Sequence, residues 1–303
     1  MKKSKLRDVA DIQTGPFGSQ LHKEDYVKVG TPIVTVEHLG NRLFTQQNLP
    51  RVSEFDKKRL QKYLLEEGDI VFSRVGSVDR CSYVDKEHVG WLFSGRCLRI
   101  RPSLSLEPLY LYYFLSLEAT KKFIKSIAVG ATMPSINTKI LGEVEIPLPS
   151  IDVQKSISYQ LSLIDRKIEV NNKINDNLYE IVDAFYKKLF TAGDLKVTTI
   201  GQYMERIYSG GTPSTSNPSY WNGAYNWFSS GETKNPFVVS TEKNITQVGI
   251  DNSSTKLAKK YDVVIASAGQ GFTRGQTSML LLDTYVNQSV IVLHGAKNIM
   301  PYV

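Results

Sequence analysis

Apolar residues recur along residues 150–193 at alternating steps of four and three: Ile157, Leu161, Ile164 and Ile168, then Leu178, Val182, Phe185 and Leu189. Asn171 and Asn175 fill the two intervening positions. This spacing predicts a helix with a coiled-coil seam that carries two polar residues at its middle. Pro147 and Pro149 close the segment before it, Ser150 or Asp152 can cap its start, and Gly193 is placed to end it. At 1.5 Å per residue, about 40 residues make a rod of roughly 60 Å. An apolar stripe of that length needs a partner. An amphipathic helix packed on its own domain is the alternative reading of the same pattern.

On either side of the rod the pattern changes. Residues 1–149 carry β-prone apolar runs at Pro32 to Val36, Asp69 to Phe72 and Trp91 to Ile100, bounded by Gly-rich turns, which read as strands. Helical spacing occurs at Glu54 to Leu65 and at Leu109 to Ile127, where Tyr110, Tyr113, Phe114, Leu117 and Phe123 predict one broad apolar face. Val144, Glu145 and Ile146 form a last strand candidate. Residues 194–303 then restart the pattern. Gly68, Asp69, Ile70, Val71, Phe72, Ser73 are echoed by Tyr261, Asp262, Val263, Val264, Ile265, Ala266 at an offset of 193 residues. Gly76, Ile100 and Pro108 fall on Gly269, Leu293 and Pro301 at the same offset, and near the amino ends Ile12 and Gly15 correspond to Ile207 and Gly210. Copies this long are two like modules, not a solenoid of roughly 20- to 50-residue units.

The predicted fold class is therefore α+β: two similar mixed α/β domains, 1–149 and 194–303, joined by a long coiled-coil-forming helix over 150–193. Val303 corresponds to Tyr110. The second copy is thus expected to lack counterparts of the aromatic helix, the closing strand and the rod, and to be loosely folded for want of that helix.

Charge narrows the partners. The net charge of +7 divides into +5 over residues 1–150, −1 over 151–195 and +3 over 196–303 (22 basic and 17 acidic, 6 and 7, 9 and 6). Positive modules suit a polyanion, and a near-neutral connector suits protein contact. Cys81 and Cys97 have neither zinc-site nor disulfide-framework spacing, which fits a reducing compartment. No run approaches the roughly 18 apolar residues of a membrane span, and Met1 to Arg7 lack a signal-peptide core. A cytoplasmic protein without a membrane partner is expected.

Catalytic chemistry is poorly represented. Asn217, Pro218, Ser219, Tyr220 approaches the box with which amino-methyltransferases hold a target amine, but its second proline is absent, so it reads as a turn. Gly269, Gln270, Gly271 follows a strand as a cofactor loop would, yet no acidic residue is placed to hold a ribose. His22, His38, His88 and His294 lack metal-site spacing. No catalytic residue, metal site or bound cofactor is expected. Binding chemistry is richer. Ser73, Arg74, Val75, Gly76, Ser77, Val78, Asp79, Arg80 leaves a strand as a Gly-containing loop with two guanidinium groups, which suit guanine or phosphate. The second copy offers Gln270, Thr273 and Arg274 at the corresponding place, and Asn137 in the stretch Thr132 to Thr138 is a further candidate. Solvated hairpins are the alternative reading of these loops.

Three stretches, in this order, carry a family resemblance. They are Gly15, Pro16, Phe17, Gly18, Ser19 through Asp25, Tyr26 and Gly30, Thr31, Pro32; Ile146, Pro147, Leu148, Pro149 leading into Gln154 and the rod; and Ser209, Gly210, Gly211, Thr212, Pro213 with Tyr220, Trp221, Asn222, Gly223 and Trp227. Together they resemble the specificity subunit of type I restriction-modification systems. The resemblance implies a non-catalytic subunit whose two recognition domains each read half of a bipartite double-stranded DNA site, with the helix setting the spacer. It implies methyltransferase subunits carrying S-adenosylmethionine and motor-nuclease subunits using ATP and Mg²⁺. It also implies a second spacer helix antiparallel to the first, so a second such chain or half-subunit is expected on the seam. A silent or interrupted recognition cassette, or a fragment of a self-contained DNA methyltransferase or nuclease, are the alternatives left open.

Overall fold

A computed structural model describes residues 3–18, 20–130, 132–191, 198–268 and 273–296. The chain divides into two compact units, Met1–Phe185 and Tyr186–Val303.

The first unit runs β1 (Lys3–Lys5), α1 (Leu6–Val9), β2 (Ala10–Thr14), β3 (Tyr26–Val27), β4 (Thr31–Val34), β5 (Arg51–Val52), α2 (Glu54–Arg59), β6 (Ile70–Ser73), β7 (Cys81–Tyr83), β8 (Leu92–Phe93), β9 (Cys97–Pro102), α3 (Pro108–Ser116), α4 (Glu118–Ile127), α5 (Thr138–Gly142), β10 (Glu145–Pro147) and α6 (Ile151–Thr191). A sheet ordered β2-β9-β6-β7 lies at its centre, beside a second sheet ordered β3-β5-β4-β8. Strand alternation sends Ile70, Phe72, Leu98 and Ile100 to one face, where they pack with Leu111, Leu115, Ile124 and Leu141 from the helices. It sends Val71 and Cys97 to the other, against Ile33, Val34, Leu92 and Phe93. A strand buried on both faces is near-continuously apolar, as β6 is. β1 pairs with β10, Lys3 opposite Pro147, so the unit closes on itself just before α6.

Several expected elements are subdivided. The Trp91 to Ile100 run is two strands, because the chain turns through Ser94–Arg96; a Cβ on Gly95 would lie 2.4 Å from the Pro16 carbonyl oxygen. The Glu54 to Leu65 helix stops at Arg59 and continues as a 3₁₀ turn, Gln61–Tyr63, after which Leu65 bonds backbone to backbone with Trp91 and Gly90. The aromatic helix breaks at Leu117, whose backbone is extended (φ −60°, ψ 135°), into α3 and α4. The break turns Thr120 and Ile124 inward and leaves Leu117 and Phe123 half-exposed, so the single apolar face does not form.

α6 is the expected rod, 41 residues or about 60 Å long. It docks on the first unit through polar residues. Gln154, fully buried, donates from Nε2 to the carbonyls of Ser105 (3.1 Å) and Pro149 (3.0 Å) and accepts from the Glu107 amide (2.9 Å). Ser158 donates to the Glu107 carboxylate. The Tyr113 hydroxyl donates to Asp165 (2.7 Å) and Arg42 Nε to Glu169 (2.9 Å). The seam faces elsewhere, exposed from 36% at Leu161 to 70% at Leu189. The helix does pack on its own domain, but not by its apolar stripe. Gly193, expected to end it, lies outside the described residues.

The second unit contains β11 (Met204–Ser209), β12 (Trp221–Phe228), β13 (Phe237–Val238), β14 (Lys243–Ile245), α7 (Gln247–Asp251), β15 (Lys256–Ala258), β16 (Val263–Ala266), β17 (Thr277–Leu280), β18 (Thr284–Val286) and β19 (Val290–Gly295). Its sheets are ordered β11-β19-β16-β17-β13 and β14-β12-β18-β15. The sequence repeat is a structural one: β16 and β19 match β6 and β9 at the 193 offset, Ile12 pairs with Ile100, and Ile207 pairs with Leu293. Gly15 and Gly210 serve alike, since a Cβ would lie 2.2 Å from the Ser94 carbonyl oxygen in one and 2.0 Å from that of Val286 in the other. The sheet faces differ. Val264, Val290 and Val292 are buried with Phe228 and Val286, as Val71 and Cys97 are in the first unit. Val263, Ile265, Ile291 and Leu293, the counterparts of Ile70, Phe72, Leu98 and Ile100, join no buried cluster among the described residues, and Ile207 is 51% exposed.

Candidate nucleic-acid interface

The loop leaving β6 is held at several points rather than free as a solvated hairpin. Ser73 N–H donates to the Arg80 carbonyl (2.9 Å), Gly76 N–H to that of Pro134 (2.8 Å) and Ile136 N–H to that of Arg74 (2.9 Å). Gly76 has φ +80°, a left-handed turn that favours glycine. Val78 is buried in the core and anchors the far side, while Asp79 pairs with Lys125 at 3.0 Å. The 73–80 loop and the Thr132 to Thr138 stretch, separate candidates in the sequence, thus lie side by side.

Two candidates have other duties. Ser73 is wholly buried and its hydroxyl bonds the Val75 carbonyl, so it cannot reach a ligand. Asn137 caps α5, its Oδ1 accepting from the Ile140 amide at 2.8 Å. Ser77 is half-buried, whereas Arg80 is exposed. Arg74 Nη1 donates to the Gly95 carbonyl (3.0 Å) with its guanidinium 5.4 Å from the Phe17 ring centre.

Sequence reasoning missed the rest of this site. An open cleft of about 740 Å³ is lined by Phe17, Tyr26, Glu37, Arg80 and Arg96, with Gly95 between them. Phe17 is 54% exposed, an expensive placement for a core residue but a useful one for stacking or for edging a cationic surface. Burial, then the charge of Asp25, raises the Tyr26 hydroxyl above its ordinary pKa, so it stays a neutral donor. Arg7, Arg42, Arg59, Arg99 and Arg101 are each ion-paired. Arg74, Arg80 and Arg96 pair with no carboxylate among the described residues; Arg80 and Arg96 line this cleft, and Arg74 lies beside it against Phe17 and the Gly95 carbonyl. Gly15-Pro16-Phe17 was the available signal, but nothing in the sequence placed it against Arg96.

In the second unit, Gln270 lies outside the described residues. Thr273 is half-buried and Arg274 exposed, on the turn that returns to β17 through the Gly275 amide bonding the Ala266 carbonyl (2.8 Å). A further cleft of about 540 Å³ is lined by Trp221, Asn222, Lys243 and Asn244, with Lys243 Nζ 5.6 Å from the Trp221 ring centre. Pro218–Tyr220 is a 3₁₀ turn capped by Asn217, whose Oδ1 accepts from the Ser219 amide (3.1 Å), which spends the group a methyltransferase box would offer. His38 and His88 are buried in local hydrogen bonds, and no group of His, Cys, Asp or Glu among the described residues could hold a metal ion. No described helix is long and apolar enough to cross a membrane.

A duplicated α+β module, whose first copy sets unpaired guanidinium groups at an aromatic-edged cleft and runs into a long helix, defines the class of fold and site. Comparison with known proteins gives the family. Residues 1–180 match the family model described as the type I restriction modification DNA specificity domain, and the chain belongs to that family. It is 30% identical over 218 residues to the putative type I restriction enzyme MjaX specificity subunit of Methanocaldococcus jannaschii, covering 66% of this chain and 49% of that one. It is 26% identical over 207 residues to the MjaVIII specificity subunit of the same organism, covering 65% and 46%. The chain thus spans about half the length of these curated relatives. The crystal structure of the type I restriction-modification S subunit from M. genitalium shares the fold, with a TM-score of 0.57 at 16% identity over 99% of this chain and 74% of that one.

Proposed function

We propose that this chain is a non-catalytic DNA sequence-recognition subunit of a type I restriction-modification complex. Residues 1–149 and 194–303 act as recognition domains, each reading one half of a bipartite site, and the 150–193 helix sets the spacer and docks methyltransferase subunits. The observation that carries this reading is that Arg80 and Arg96, neither ion-paired among the described residues, line one open aromatic-edged cleft, with Arg74 beside it against Phe17. Arg80 and Arg96 contact base edges or phosphates there, Arg74 and Ser77 shape the rim, and Gln270, Thr273 and Arg274 serve the second half-site. The methyl donor S-adenosylmethionine belongs to the methyltransferase subunits, and ATP with Mg²⁺ to the motor-nuclease subunits, all in the cytoplasm. A further chain of the same kind covers the α6 seam.

The test is fluorescence anisotropy on duplex DNA, using the chain assembled with its methyltransferase subunits and carrying Arg80→Ala or Arg96→Ala. Removing a guanidinium that bonds a base edge costs about 1 to 3 kcal/mol, roughly a 5- to 160-fold drop in affinity at the cognate site, and removing one that bonds a phosphate lowers the salt slope by about one. Unchanged affinity, sequence preference and salt slope in the double variant would refute the assignment.

A further inference from the structure

The constant offset between the two copies fails at one loop, and the strand register shows by how much. In the first unit the Ser73 N–H donates to the Arg80 carbonyl (2.9 Å), closing the loop between β6 and β7; in the second the Ala266 N–H donates to the Gln276 carbonyl (2.9 Å) in the same way. Val71 faces Ser82 and Val264 faces Ser278, so β7 corresponds to β17 at a step of 196 residues, from Ser82 to Ser278. The counterpart of Arg80 is therefore Gln276, not the Thr273 that an unbroken offset gives.

The frame around this position is shared. The Arg74 N–H donates to the Arg96 carbonyl and the Ser267 N–H to that of Ser289, both at 2.9 Å. The Ser94 N–H donates to the Val34 carbonyl (2.8 Å), and the Asn287 N–H to that of Phe228 (3.1 Å). Thr35 with His38 and Ser229 with Glu232 form equivalent capping boxes just past β4 and β12. The side chains are what differ. Where the first unit has Arg74, Arg80 and Arg96, the same backbone in the second carries Ser267, Gln276 and Ser289.

Gln276 is half-buried and its amide is uncommitted. Among the described residues Nε2 has no partner, and Oε1 has only the Thr233 hydroxyl at 3.4 Å, long for a bond from a hydroxyl. That hydroxyl has a single proton and lies 2.7 Å from the Ser230 carbonyl, where the proton is engaged. Gln288, on the neighbouring turn, is different: its Oε1 accepts from the Thr212 hydroxyl at 2.6 Å. An amide drawn partly out of water with neither end bonded is unfavourable until a ligand supplies a donor and an acceptor side by side. The major-groove edge of adenine supplies that pair, N6–H₂ and N7.

We infer that Gln276 is the base-reading side chain of the second unit and that it selects adenine, at the place Arg80 occupies in the first. The inference rests on the DNA-recognition reading above. It makes the two halves of the target unlike in the kind of contact they receive: charged and salt-sensitive from the first unit, neutral and set by hydrogen-bond geometry from the second.

The test is selection from random duplexes by the chain assembled with its methyltransferase subunits, followed by anisotropy on the enriched site. Gln276→Arg should change one A·T pair of one half-site to G·C and leave the other half untouched. Gln276→Glu keeps the side-chain shape, removes the donor and should move the same position toward cytosine, so the inference stays open to refutation if the arginine variant fails to fold. Gln276→Ala should lower discrimination for adenine at that position roughly 5- to 160-fold with the salt slope unchanged, because an amide neutralises no phosphate. Enrichment of the unaltered sequence by both the Arg and Glu variants, or a Gln276-dependent position that is not adenine, overturns the assignment and leaves the recognition reading standing. An unaltered chain that enriches no sequence refutes the recognition reading and the inference with it.

Discussion

Gln154→Leu replaces a polar side chain on the long helix by an apolar one of similar size, a change that a seam-first view of the helix would call harmless. Gln154 is fully buried and makes three hydrogen bonds of 2.9 to 3.1 Å, tying the start of α6 to the backbone at Ser105, Glu107 and Pro149. Leucine fills the space without a cavity, so the loss is the three bonds, at about 1 kcal/mol each or about 3 kcal/mol in all. For a unit of this size 1 kcal/mol moves the melting temperature by about 2 to 4 °C, giving a fall of about 6 to 12 °C. Ser158→Ala, which removes one hydroxyl bond to the Glu107 carboxylate, should cost about half as much. Scanning calorimetry on the full chain measures the shift. Hydrogen exchange assigns it to the first unit, because a two-unit chain need not melt in one step. A shift under about 2 °C, or weakened protection confined to residues outside 103–116 and 150–160, would show that α6 is not held by these bonds.

Phe72→Ala, in a two-sided core, should cost about 3 to 5 kcal/mol, whereas Ile265→Ala at the equivalent position of the second unit should cost under about 1 kcal/mol, both read by urea denaturation. Gly15→Ala and Gly210→Ala should each destabilise their own unit by at least about 1 to 3 kcal/mol, since either methyl group strikes a carbonyl oxygen; thermal shift with exchange mapping checks both. Burial pushes the Cys81 thiol up to about 11 and that of Cys97 to about 12, so neither should react with a thiol reagent at pH 8 until the chain unfolds. Because these folded values lie above the unfolded one, the stability they contribute is full below the ordinary thiol pKa and is lost as pH rises from there toward 11 to 12.

The duplicated sheet was legible because strand alternation leaves a period-two trace that survives divergence: Asp69 to Ser73 and Asp262 to Ala266 keep their offset, and the paired residues Ile12–Ile100 and Ile207–Leu293 keep their register. The rod was legible for the same kind of reason, since a strict heptad needs no knowledge of the rest of the chain. The break at Leu117 left no such trace, because neither glycine nor proline marks it and the apolar spacing runs on through it. The docking face of α6 was hidden more deeply. Gln154, Ser158, Asp165 and Glu169 are residues that an isolated helix would simply turn to water, and their role depends on Arg42, Glu107 and Tyr113, which lie far off in sequence. The cleft was half legible: the Arg74 to Arg80 loop announced itself, but Phe17 and Arg96 reach it only through the fold.

The two copies share a topology but are not equally self-sufficient, and one pair of residues shows why. In the first unit buried Asp69 bonds the Glu66 amide and is clasped by Arg101 at 2.7 Å. In the second, buried Asp262 bonds the Lys259 amide in the same way, but the 193 offset puts His294 where Arg101 stands, 2.5 Å from the carboxylate. Arginine carries its charge at every physiological pH, whereas the histidine is a cation only when protonated. Among the described residues the same unit buries one sheet face where its counterpart buries two. Both differences remove support from the second copy, so it should be the first to open on heating, and an apolar cover for Ile207, Ile265 and Leu293 should raise its melting temperature while leaving that of the first unit unchanged.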